Sequence, residues 1–231
     1  MIKAISLRHP VVVLVLLFAC TISQSVWAQQ SFSGRIVYNI SYSGSRIDLA
    51  EQEQLPQRLE VIARNHRVRS EMQAGVLKQI KIANAETRST ITLLEIEDGQ
   101  YAIEKSPSEI DAQIREMPEV RLVYTDEYET ILGYSCRKVL ATTFDAYGEQ
   151  YTSEIYFTEE LDGYPLQFDT PYREIPGLML RYEIRAGTLV MQYEAVSIER
   201  QRLVGGRHFR VPSGYEVTTF EELREKLSGE L

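Results

Sequence analysis

Leu178-Met179-Leu180-Arg181-Tyr182-Glu183-Ile184-Arg185-Ala186-Gly187-Thr188-Leu189-Val190-Met191-Gln192-Tyr193-Glu194-Ala195 carries the clearest alternation in the chain. Leu178, Leu180, Tyr182, Ile184 and Ala186 interleave with Met179, Arg181, Glu183 and Arg185. After Ala186-Gly187 the beat resumes in Leu189, Met191, Tyr193 and Ala195. Side chains of a strand point to opposite faces with a period of two, so this stretch predicts a hairpin with one apolar face. Near Ala195-Val196 the parity passes to Val196 and Ile198, which predicts a bulge that bends the second strand.

The same period runs outward through the chain. Phe32, Gly34, Ile36, Tyr38, Ile40 and Tyr42 alternate with mostly polar neighbours and predict a long half-buried strand. Leu59, Val61 and Ala63 resume the pattern after a loop and continue loosely through Val68 to Met72, where Gly75 breaks it. Val76 to Ala83, Ser89 to Ile96 and Tyr101 to Lys105 follow, the last two joined at Asp98-Gly99, a pair that tight hairpins select for positive φ. Val120 to Leu132, Cys136 to Phe144 and Tyr151 to Phe157 complete the set.

Two segments read as helices instead. Ser108 caps one through Met117, which Pro118 stops. Thr218 with Glu221 forms a capping box for the other, whose Phe220, Leu223 and Leu227 share a face and which Gly229 ends. Roughly nine to eleven consecutive antiparallel strands with two short helices predict a mainly β fold, because open twisted sheets of that size rarely stay flat. The expectation is a single large curled antiparallel sheet, an incomplete barrel closed by one or two short helices that plug its trough.

The N-terminus decides the compartment. Lys3 and Arg8 precede an unbroken apolar run from Val11 to Cys20, and Val26-Trp27-Ala28 suits a cleavage site, so residues 1–28 read as a secretory signal peptide. The run is about half of the roughly 20 residues that span a bilayer, and no transmembrane helix is expected in the mature chain, 29–231, which reads as one domain. Leu17-Phe18-Ala19-Cys20 also resembles a lipobox, but Phe18 is bulky for that motif and simple cleavage is favoured over lipid anchoring at Cys20. Beyond the signal only Cys136 remains, so no internal disulfide is available.

Charge and chemistry exclude several classes. The 33 Asp+Glu against 25 Lys+Arg give a net charge of -8, which argues against nucleic acid as a partner. His66 and His208 sit amid arginines, far apart in sequence, and read as solvated surface residues. Cys136 heads an apolar strand and reads as a small buried hydrophobe. No phosphate loop, nucleophile elbow or metal-binding His/Cys spacing occurs. The chain is therefore expected not to be an enzyme, and to need no cofactor and no metal. Arg64, Arg67, Arg69, Lys78, Lys81 and Arg88 concentrate positive charge on neighbouring strands and read as the polar face of a sheet.

Three motifs, Gly34-Arg35-Ile36-Val37-Tyr38, Gly133-Tyr134-Ser135-Cys136-Arg137-Lys138 and Glu174-Ile175-Pro176-Gly177-Leu178-Met179-Leu180, resemble the GLPGLI family and its relatives over nearly the whole mature chain. Glu174, Ile175 and Met179 depart from the family's residues at their positions. The resemblance implies a secreted or envelope protein of Gram-negative bacteria, periplasmic or outer-membrane associated, with a lipoprotein-carrier (LolA-like) fold; it implies no established activity.

The function expected is that of an exported non-enzymatic protein of the envelope. It would hold a lipid, acyl chain or other hydrophobic ligand against an inward apolar lining of Ile36, Tyr38, Ile40, Leu178, Leu180, Tyr182, Leu189 and Met191. Pro176 and Gly177 would belong to a gate loop over the mouth, with Pro176 fixing φ and Gly177 tolerating positive φ. The alternative is a structural or interaction component of the envelope, its core filled by its own side chains, pairing an exposed sheet edge with another envelope protein.

Overall fold

The computed structural model describes residues 32–44, 49–144, 148–201 and 204–228. The expected signal peptide, Cys20 and Gly229 lie outside the described residues. In chain order the elements are β1 (Ser33–Ser43), α1 (Leu49–Glu53), β2 (Arg58–Arg64), β3 (Arg67–Ala74), β4 (Leu77–Asn84), β5 (Ser89–Ile96), β6 (Gly99–Lys105) and α2 (Pro107–Glu116). Then come β7 (Arg121–Ile131), β8 (Tyr134–Phe144), β9 (Gln150–Thr158), α3 (Tyr164–Gln167), β10 (Leu178–Ala186), β11 (Leu189–Arg200), a 3-10 turn (Gly206–Phe209), β12 (Glu216–Val217) and α4 (Phe220–Ser228).

All twelve strands form one sheet in the order β12-β6-β5-β4-β3-β2-β1-β11-β10-β9-β8-β7. It is the expected open, mainly antiparallel sheet, not closed into a barrel. The two-residue β12 departs from the rule by pairing parallel to β6. Each half of the sheet is a meander of hairpins, and the halves meet where β1 lies between β2 and β11. The predicted bulge is present: Val37 opposes Ser197 while Tyr38 opposes Ala195, leaving Val196 as the extra residue.

Several local expectations need correction. Leu59 to Met72 is two strands, reversed at Asn65, whose φ is 53°. At the Asp98-Gly99 turn neither residue takes positive φ; Ile96 opposes Gly99, so Gly99 already belongs to β6. The α2 cap is Ser106, not Ser108: its side chain accepts from the Glu109 amide while the Glu109 carboxylate accepts from the Ser106 amide, and Pro107 takes the first helical position. The second box lies one residue later than expected, with Thr219 and Glu222 exchanging bonds of 2.9 and 3.2 Å.

The plug also differs from expectation. Leu223 of α4 packs on Tyr101 and Ile103 at one margin of the sheet, whereas Phe220 and Leu227 are exposed. In place of α4, the connection between β9 and β10, residues 159–177, fills the trough together with the expected α2, whose Ile110 is fully buried. Leu161 joins the central cluster with Ile36, Tyr38 and Leu178. Tyr172 and Ile175 cover Val139, Ile155 and Phe157. Phe168 meets Ile110 of α2 over Ala83 and Ala85. On the opposite face Ile80, Ile82, Leu93 and Ala102 are buried beneath Phe209 and Tyr215. Strands β4 to β6 are thus covered on both sides, which explains their apolar residues at both parities.

The plug is tied down through its backbone. A Cβ on Gly177 would stand 2.1 Å from the Thr158 carbonyl oxygen, and one on Gly163 would stand 2.2 Å from the Gly177 carbonyl oxygen. Only glycine permits two such crossings. Gly177 is absent from the positive-φ positions, so its role is close approach and not the left-handed turn expected from sequence.

Candidate functional site

Residues directly opposed across antiparallel strands point to the same face. Tyr38 opposes Leu59, Leu59 opposes Met72, and Met72 opposes Gln79, a row crossing β1 to β4. The next row runs Ile36, Val61, Ser70 and Lys81. From the other half, Tyr182 opposes Tyr193. The curl of the sheet turns these rows toward one another beneath the plug, and between them lies a cavity of about 850 Å³. Pro165 to Tyr172 form one wall, and the exposed Phe144 and Ile184 stand at the rim.

Of the residues expected to line this space, Tyr38, Leu178 and Tyr182 do so. Ile36, Ile40 and Leu180 do not: they are buried in the adjoining apolar cluster. Leu180 is displaced by a register shift between Met179 and Arg181 opposite β9, which brings Met179 to the cavity along with Tyr182. Met191 packs half-buried against the same cluster, and Leu189 opposes Ala186 at the hairpin end; neither lines the cavity. Pro176 and Gly177 lie at the foot of the plug rather than on the cavity wall.

Three tyrosines meet at the centre. The Tyr38 and Tyr182 rings are edge to face with centroids 6.0 Å apart, and Tyr182 stacks on Tyr193 at 4.9 Å. The Tyr38 hydroxyl donates to the Met179 carbonyl at 3.0 Å, and the Tyr172 hydroxyl donates to the Glu183 carbonyl at 3.0 Å. Burial raises the Tyr182 phenol well above its ordinary pKa, with Tyr38, Tyr193 and Tyr172 adding to the effect. Burial likewise raises Tyr38. These phenols stay neutral at physiological pH, able to donate hydrogen bonds and unsuited to act as bases.

A polar group interrupts the apolar wall. Lys81 Nζ donates to Asp169 Oδ2 at 2.5 Å, and the Asp169 side chain is only 4% exposed. Gln113 Nε2 donates to the Asp169 backbone carbonyl at 3.4 Å. Gln167, 1% exposed, donates from Nε2 to the Ile175 carbonyl at 2.7 Å, holding the two ends of the plug together. Lys81, Gln167 and Asp169 all border the cavity. Sequence reasoning placed Lys81 in a basic cluster and passed over Gln167 and Asp169. The usable signal was parity, since Gln79, Lys81 and Ala83 share a face opposite Ile80 and Ile82.

The basic cluster is partly neutralised, with three carboxylates, Glu71, Asp169 and Asp111, set against its six cations. Arg69 and Lys78 both bind Glu71 at 2.8 Å, and Arg88 binds Asp111 at 2.5 Å. Arg64 donates to the Val204 carbonyl at 3.0 Å. His66 is exposed in the β2–β3 turn and His208 belongs to the 3-10 turn. Among the described residues no group of three or more His, Cys, Asp or Glu side chains is placed to hold a metal ion. Cys136 is buried, and its thiol is pushed up to about 11, chiefly by that burial.

Fold and site together define an open single-sheet protein whose concave face is plugged by an inter-strand segment and retains an aromatic-lined cavity. No protein-family model matches the chain, and no curated protein does. It is similar to solved structures of PNGF-II in two crystal forms. One has a TM-score of 0.53 at 13% identity, over 86% of this chain and 34% of that one. The other has a TM-score of 0.50 at 17% identity, over 85% and 32%. The chain thus spans about a third of the length of these structures, and at such identities the likeness concerns the fold alone.

Proposed function

We propose that this chain is an exported, non-enzymatic binding protein of the bacterial envelope, and that it holds a lipid or other hydrophobic ligand in the concave face of its sheet. The observation that carries this reading is the cavity of about 850 Å³ beneath the plug, walled by Tyr38, Leu59, Met72, Leu178, Met179 and Tyr182. Ligand pockets commonly measure roughly 300–1,000 Å³ and pair apolar walls with a few placed polar groups. An acyl chain entering such a wall gains about 0.8 kcal/mol per buried CH₂.

The absence of catalysis is supported by the chemistry of the wall: no His or Cys borders the cavity among the described residues, and its central phenols are held neutral. Export rests on the N-terminal sequence, and the GLPGLI resemblance with its lipoprotein-carrier fold belongs to the same proposal. One observation favours the alternative of strand pairing with another envelope protein. The edge strand β7 exposes Val123, Tyr124 and Tyr128.

The test is native mass spectrometry and lipid extraction of the chain purified from membrane-containing lysate, with displacement of N-phenyl-1-naphthylamine as a second readout. Co-purifying lipid is expected, together with probe uptake weakened by Ser70→Trp, which places an indole in the cavity. A clean apo mass with no probe uptake would overturn the binding reading and leave the edge-pairing one.

A further inference from the structure

The ladder between β9 and β10 is incomplete. Thr158, Phe157 and Tyr156 oppose Leu178, Met179 and Arg181, and among the described residues no further pair follows, although the strands continue to Gln150 and Ala186. Leu180 is the extra residue at the register shift, and a bulge bends the strand that carries it. Each strand keeps its other neighbour: β10 stays paired with β11 from Arg181 to Ala186, and β9 with β8 from Phe157 to Gln150. Two hairpins thus diverge from a common point at Arg181 and Tyr156.

The cavity reaches into this split. Tyr151 to Ser153 of β9 and Tyr182 to Arg185 of β10 all border it. Successive residues of a strand face opposite sides, so an unbroken run meets one cavity where that cavity passes the strand's edge. Two side-chain contacts span the opening. The Tyr172 hydroxyl, from the plug, donates to the Glu183 carbonyl of β10 at 3.0 Å, and the Ser153 side chain of β9 reaches the same phenol. Farther out, the Arg185 guanidinium lies 4.4 Å from the centroid of the Tyr151 ring. Phe144, which opposes Gln150, and Ile184 leave apolar surface exposed on either side of that outer end.

The other boundaries of the cavity are bonded more heavily. Strands β1 to β4 and β10 to β11 are laddered pair by pair beneath it, and the plug above is seated by Gly163, Gly177 and the Gln167 amide. Parting β9 from β10 beyond Arg181 breaks no rung of the sheet; it breaks the bonding of one phenol and a cation–π contact.

We infer that a hydrophobic ligand enters and leaves the cavity sideways, through the split between β9 and β10, and that the Tyr172 hydroxyl holds the split shut. This rests on the binding reading above and adds its route. A side chain that bars the route equally in the empty and the occupied protein changes the rates of uptake and release by one factor and leaves Kd where it was.

The experiment follows N-phenyl-1-naphthylamine by stopped flow in a chain beginning at Gln29. Tyr172→Phe keeps the ring over Val139, Ile155 and Phe157 and removes the hydroxyl. Uptake and release should both quicken by about three- to tenfold, the factor that one neutral hydrogen bond is worth, with Kd changed by less than about twofold. In a second variant, Tyr151→Cys with Arg185→Cys, the strands are joined by a reducible bismaleimide while Cys136 stays buried. Both rates should then fall by about tenfold or more and recover when the linker is reduced. The same linker between Ser41→Cys and Gln192→Cys, opposed on the laddered β1 and β11, should leave the rates alone.

A Tyr172→Phe chain whose uptake rate is unchanged and whose Kd shifts would make Tyr172 a wall contact and overturn its assigned role. No slowing by the β9–β10 linker, or equal slowing by both linkers, would overturn the route while leaving hydrophobic binding intact. No probe uptake at all removes the binding reading beneath it. Should Tyr172→Phe fail to fold, the linked pair decides alone.

Discussion

Gly177→Ala tests whether the plug is seated by backbone contact. The added Cβ would fall 2.1 Å from the Thr158 carbonyl oxygen, 2.7 Å from its carbon and 3.0 Å from the Glu159 nitrogen. All three are main-chain atoms, so no side chain can swing away. An ordinary contact near 3.4 Å requires the β9–β10 junction to part by more than 1 Å, straining the Leu178 to Leu161 backbone bond of 3.1 Å. Overpacking of this kind costs about 1–3 kcal/mol, and a weakened hydrogen bond adds about 1 kcal/mol. A loss of about 2–4 kcal/mol lowers Tm by about 4–16 °C in a domain of this size. Urea unfolding and calorimetry read this directly. Gly177→Asn discriminates further: at a left-handed position Asn is tolerated, whereas at a close approach it is no better than Ala. Gly187 supplies the contrast, with φ of 62° and open space where its Cβ would stand, so Gly187→Asn should cost less than about 1 kcal/mol. Gly177→Ala within about 1 kcal/mol of the unmodified chain, or Gly177→Asn clearly milder than Gly177→Ala, would refute the reasoning.

Two predictions concern titration. Burial raises the phenol pKa of Tyr38 and Tyr182, while Tyr42 and Tyr215 are raised to about 12. A raised phenol pKa contributes stability fully below the ordinary value of about 10; as pH climbs past it the unfolded chain releases protons that the native chain retains, and stability falls. Urea midpoints should therefore be flat to about pH 9.5 and decline above it, with the cavity phenols ionising at 295 nm only as the chain unfolds. A midpoint unchanged between pH 9 and 11 would contradict this. In a chain beginning at Gln29, the Cys136 thiol, buried and raised to about 11, should react with Ellman's reagent at pH 8 only at the rate of opening. Reaction as fast in native buffer as in urea would show that the thiol is accessible.

The alternation of Ile36, Tyr38 and Ile40, and of Leu178, Leu180 and Tyr182, was legible because one face of those strands is apolar and the period is two. So was the parity change that became the Val196 bulge. What alternation does not encode is which side of the sheet is concave. In β4, Ile80 and Ile82 are the apolar pair, yet they face away from the cavity under Phe209 and Tyr215, while Lys81 faces into it. A second covering layer reverses the usual inference from apolar to inward. The plug was illegible for a different reason. Its residues have no period, and they are buried by main-chain crossings and by Gln167 bonding across the segment, neither of which leaves a hydropathy signature. The cavity followed from both omissions, since Tyr38, Leu178 and Tyr182 could be placed while the segment that roofs them could not.

The seam where β1 joins β11 orders events in time. Gly34 opposes Arg200, so the middle of the sheet is completed by contacts between the first and last long strands of the described chain, while each flank is made of sequential hairpins. A chain emerging vectorially from its N-terminus can fold the β2 to β6 flank early, but its first strand has only one neighbour until residue 200 has emerged. Truncation within β11 should therefore unfasten the halves of the molecule rather than trim an edge. A circular permutant opened at the exposed β3–β4 turn would place the seam strands closer together in the new chain order, giving it the shorter search.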